Sequence, residues 1–169
     1  MKSTAKTAVF AALLAISAAA FLPAYAADTG PTVAQPTVSE RLTLARDAIQ
    51  KKDWRKALAE LNVAAKEEPR NADVQNLLGY SYRMQAQPNL PKSFEHYKLA
   101  LQIDPNHKGT HHYIGMAYLM DKKPADAESH LAKLEKACGN KTCPEYLDLS
   151  RAIGQFKTTG TASSGQSFY

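Results

Sequence analysis

Small and apolar residues recur along this chain at a period of 34, which restricts the fold to a stack of copies of one short unit. Leu44-Ala45 returns 34 residues later as Leu78-Gly79, and Ser93-x3-Tyr97 returns 34 residues later as Ala127-x3-Leu131. Gly79-x2-Tyr82 returns after 36 residues as Gly115-x2-Tyr118. Ala57-x3-Leu61-x2-Ala64 aligns with Ser93-x3-Tyr97-x2-Ala100, and Pro69 with Pro105. These spacings agree on one unit if the second copy carries two extra residues. The turn Gln87-Pro88-Asn89-Leu90-Pro91 takes them at little entropic cost. Between the copies fall Pro and Gly, and within them the apolar residues keep a helical period.

The punctuation supports helices. Thr37-x-x-Glu40 has the form of a capping box. Asp53, Asn71 and Asn106 are expected to cap later helices, because a short polar side chain accepts from the free amides of a first turn. Thr142-x-x-Glu145, with Pro144 in the first turn, is expected to open a last helix over about 143–156. Its Tyr146, Leu149, Ala152, Ile153 and Phe156 form an apolar stripe suited to closing the stack.

The pattern resembles the tetratricopeptide-repeat (TPR) family, whose consensus runs W-x2-L-G-x2-Y, then A-x3-F, then P. The second unit carries it best, in Leu78, Gly79, Tyr82, Ser93, Tyr97, Ala100 and Pro105. The third keeps Ile114, Gly115, Tyr118, Ala127 and Leu131, with Gly139 at the proline position. The first keeps Leu44, Ala57, Leu61, Ala64 and Pro69, with Ala45 for glycine and Ala48 for tyrosine. The tryptophan position holds Arg41, Gln75 and His111. The resemblance implies an all-α fold, a right-handed superhelix of about three helix-turn-helix repeats (38–71, 72–107, 108–141) plus a C-terminal capping helix, within a domain over 37–157. Gly79 and Gly115 are expected to face Ser93 and Ala127 at close helix crossings.

Ahead of the repeats, Lys2 and Lys6 precede the apolar run Ala8–Leu22, Pro23 and the small-x-small site Ala24-Tyr25-Ala26. This reads as a signal peptide over 1–26, too short for a membrane span. A periplasmic or secreted protein is expected, with no stable membrane anchor after cleavage. Residues 27–36 read as a flexible linker and 158–169 as a disordered tail. Export makes a structural disulfide between Cys138 and Cys143 the expected state, with a redox pair or half a metal site as alternatives. The formal charge of +5 falls when Lys2 and Lys6 leave, and the remaining charges alternate in sign. Neither favours nucleic-acid binding.

No nucleophile elbow, phosphate loop, zinc-protease motif or glycine fingerprint is present, so no enzyme, catalytic residue or cofactor is expected. In the family the first helix of each repeat lines a concave groove. Carried onto this chain, the groove would include Leu42, Arg46 and Ile49, then Asp73, Asn76, Tyr80, Arg83 and Met84, then His112, Met116, Leu119 and Met120. The partner-binding set is taken as Arg46, Asn76, Tyr80, Arg83, Met84, His112, Met116 and Leu119, rich in the aromatic, Met and Arg types that dominate interfaces. Leu42 and Leu77 stand where the carboxylate-gripping members of the family have polar residues, so a C-terminal carboxylate ligand is not expected. The expected function is a scaffold or adaptor for a protein or peptide. The alternative is copper binding through His107, His111, His112, Met116 and Met120, spaced along one helix in four-residue steps that suit soft metal ligation; no metal ligand is assigned on the favoured reading.

Overall fold

The computed structural model describes residues 34–163. The expected leader, residues 27–33 of the expected linker and residues 164–169 of the expected tail lie outside the described residues. Seven helices form among those described: α1 (Val38–Gln50), α2 (Trp54–Glu67), α3 (Ala72–Arg83), α4 (Leu90–Ile103), α5 (Lys108–Met120), α6 (Pro124–Cys138) and α7 (Pro144–Thr159). No strand occurs among them.

The helix starts follow local chemistry. Thr37 and Glu40 form a reciprocal capping box on α1. Asp53, Asn71 and Asn89 each accept the amide three residues on, at the starts of α2, α3 and α4. The cap of α5 is His107 rather than the expected Asn106: its Nδ1 accepts the Thr110 amide at 3.1 Å. At α7 the expected capping box is absent. Cys143 is the N-cap without a side-chain bond, and Thr142 is turned back onto Asn140. The helix also runs on to Thr159, beyond the expected 156 and into the expected tail. Thr158 and Thr159 donate their hydroxyls back to Gln155 O, and Gly160 ends the helix in the left-handed conformation.

Helices pack as the hairpins α1–α2, α3–α4 and α5–α6, and each hairpin docks on the next. Lys52 and Lys122 occupy equivalent left-handed positions in the first and third hairpin turns. The second hairpin replaces that turn with the longer segment before Asn89, which is where the two extra residues go. One apolar cluster joins α1 to α5 around Leu61, Leu77, Leu78, Tyr97 and Ile114. A second joins α5, α6 and α7 around Met116, Leu119, Leu134, Leu149 and Ile153. The helix α7 lies against both α5 and α6.

The two consensus glycines do different jobs. A Cβ at Gly79 would stand 2.6 Å from the ring of Tyr97, while Ser93 donates its hydroxyl to Gly79 O at 2.8 Å. At Gly115 the space is taken by Leu149 of α7, 2.7 Å from where a Cβ would be, and not by Ala127.

Candidate functional site

The structure redraws the expected groove. His112, Met116 and Leu119 are fully buried. His112 Nε2 donates to Asp148 Oδ2 of α7 at 2.9 Å, and Met116 and Leu119 share the second cluster with Leu149, Ala152 and Ile153. Here α7 packs over all three, so these residues offer no free surface. Asn76, Tyr80 and Arg83 are buried as well. Tyr80 packs on Tyr113, ring centres 4.8 Å apart, and edge-on to Trp54. The Arg83 guanidinium lies over both tyrosines at 5.4 and 5.7 Å, with Nη1 3.7 Å from Met120 Sδ. A cation enclosed by two aromatic faces is a packing element. Of the expected contact residues, Arg46 and Met84 keep partial exposure.

A feature that the repeat pattern alone did not disclose stands at the tryptophan position. Each occupant clamps its hairpin through a polar partner on the second helix. Arg41 bonds Glu60 at 3.0 Å, Gln75 Oε1 meets His96 Nδ1 at 2.8 Å, and His111 Nδ1 meets His130 Nδ1 at 3.0 Å. The signal was available in the matching separations, 19, 21 and 19, the longer one spanning the insertion. Burial holds His96 and His111 below the usual histidine range. His130 is pushed down to about 4 by burial, then by His111 and Lys133.

An open cleft of about 600 Å³ lies where the turns into α3 and α5 meet. Its lining includes Glu68, Arg70, Asp73, Asp104 and His107, a mixed set of charges. Asp73 and His107 are 34 residues apart, the same edge of successive repeats, and Asp73 Oδ1 accepts from His107 Nε2 at 3.1 Å. That hydrogen bond is the main reason the Asp73 carboxyl sits below its ordinary range, and Arg46 lowers it further through space. Arg46 is partly exposed and lies within electrostatic reach of Asp73, outside the lining of the cleft itself.

Two chemical readings can be tested against this geometry. Thr110 Oγ1 is 2.9 Å from His107 Nδ1, which completes an acid–imidazole–hydroxyl chain with Asp73. Thr110 is fully buried, and the same Nδ1 accepts the Thr110 amide, so the chain is a helix cap with no reachable nucleophile. The His/Met copper constellation does not converge either. His107 pairs with Asp73, His111 with His130, His112 with Asp148, and Met116 is sealed in the core. Cys138 and Cys143 are bonded to each other, S–S 2.07 Å, so neither thiolate is available to a metal with nearby Glu145.

No family model and no curated protein matches the chain in sequence. Among solved structures it is similar to the TPR2B domain of yeast Sti1 in complex with pHsp70, at 17% identity and a TM-score of 0.59, over 72% of this chain and 93% of that one. Sequence identity this low speaks to architecture alone, and the architecture agrees with the internal period, the hairpins and the close contact at Gly79. The fold of this chain is a tetratricopeptide-repeat superhelix closed at its C-terminal end by α7.

Proposed function

We propose that the protein is an exported, periplasmic adaptor that binds a protein or peptide along the edge formed by Arg46, Arg70, Asp73 and His107, and that it performs no chemistry. The observation carrying this reading is the mixed-charge cleft at the repeat edge, left open while α7 covers the third repeat. Support for peptide or protein recognition comes from the fold, which is shared by a solved TPR2B domain of yeast Sti1 in complex with pHsp70. Export rests on the sequence of residues 1–26.

The partner surface that suits this edge is polar and carries both signs of charge. Such contacts set orientation and association rate more than they set affinity. Replacing Arg46 with Glu and Asp73 with Lys together keeps the net charge while inverting the pattern. The variant is expected to stay folded and to lose partner capture from periplasmic extract. Unchanged capture by the folded variant would remove this edge from the account.

A further inference from the structure

A further cleft of about 350 Å³ opens among α4, α5 and α6. Lys98 and Gln102 of α4 and Lys133 of α6 stand around it, Leu101, Ile114 and Tyr118 supply apolar wall, and His130 is the remaining lining group. No carboxylate lines the cleft, and neither lysine takes part in an ion pair among the described residues.

His130 is only 8% exposed, and its protonation pattern follows from the bonds around it. His111 Nε2 lies 2.9 Å from Pro105 O. A carbonyl only accepts, so the proton is on His111 Nε2 and its Nδ1 is bare. The 3.0 Å contact between the two Nδ1 atoms then needs the proton on His130 Nδ1. Both rings are neutral near pH 7, since burial lowers each. His130 Nε2 is therefore a bare lone pair. It has no hydrogen-bond partner among the described residues, while the Tyr118 ring stacks alongside at 5.6 Å. Lysines that only donate and an imidazole nitrogen that only accepts make a specific demand on a ligand.

We infer that this cleft is a binding site for a small organic hydroxycarboxylate. The carboxylate would lie between Lys98 and Lys133, the hydroxyl would donate to His130 Nε2, and the hydrocarbon portion would cover Leu101 and Tyr118. An amino acid fits less well, because its ammonium group would face two lysines. Inorganic phosphate satisfies the polar groups and leaves the apolar wall bare.

Two measurements on the full mature chain test this. Long-range ¹⁵N–¹H correlation at pH 7 should find His130 protonated at Nδ1 and bare at Nε2; the reverse tautomer overturns the proposal. Calorimetric titration with 2-hydroxy-4-methylpentanoate should show binding about tenfold tighter than with 4-methylpentanoate, the worth of one hydrogen bond to the imidazole nitrogen. Binding should be lost in Lys98→Gln/Lys133→Gln, a surface change that leaves the core intact, and reduced at least tenfold in His130→Phe. Equal binding of the two acids, tighter binding of inorganic phosphate, or no binding of the hydroxy acid would each overturn it.

Discussion

Single residues show most directly how a helical repeat sets its tolerances. Gly79 and Gly115 occupy the same consensus position, yet one faces a rigid ring and the other the branched end of a leucine. Adding a methyl group gains helix propensity of about 1 kcal/mol in either place. Against Tyr97 the gain is outweighed, because overpacking a well-filled core costs about 1–3 kcal/mol. Gly79→Ala is expected to lower the urea midpoint clearly, while Gly115→Ala stays near the parent because Leu149 can shift; equal losses would contradict this. The buried histidines set the acid response. A pKa lowered in the folded state, for His130 to about 4 against an ordinary value of 6.5, means the unfolded chain binds more protons between those limits. The contribution of His130 should therefore be full above pH 6.5, fall as the pH drops toward 4, and level off below. His111→Gln/His130→Gln should flatten that slope in urea titrations across the window. The sequence placed His111 at a packed position but left His130 unread, because a lone histidine on a charged helix resembles solvated surface until its partner is known.

At the scale of elements, the hairpins were legible because their small residues, caps and turns obey local rules. The consequences of α7 were not. Its apolar stripe identified a cap, but only the folded chain reveals that the cap leans on α5 and buries His112, Met116 and Leu119. Three of the groove residues carried over from the family, those on α5, were thus expected on a surface that this chain's own last helix covers. The Cys138–Cys143 bond closes the short turn into α7. Replacing both cysteines with serine should cost about 2 kcal/mol in the chain-entropy picture. Leu149→Ala should cost about 2–5 kcal/mol, since it empties the contact over Gly115. In both variants hydrogen exchange should accelerate in α7 and α5 well before α1–α4, because neighbouring repeats stabilise each other only pairwise. Uniform acceleration along the chain would contradict that division of the core.

For the whole molecule, the 34-residue period was enough to reach the architecture even though the tryptophan of the consensus is missing. Polar clamps replace it in all three hairpins, so the repeat keeps its geometry with different chemistry. The binding surface was less legible, since exposure depends on how hairpins and α7 come together rather than on position within one repeat. Export makes its own prediction at this scale: the protein recovered from periplasm should begin at Ala27, and a start at Met1 would contradict it. No helix among the described residues is long and apolar enough to cross a membrane.

The adaptor reading is tested most directly by placing a photo-reactive amino acid at one position at a time, in cells, at Arg46, Arg70 and Asp73 on the proposed edge and at Glu95 on the exposed face of α4. The account predicts one protein partner cross-linked from all three edge positions and absent at Glu95. A partner captured at Glu95 alone would contradict it, and so would no cross-link from the edge.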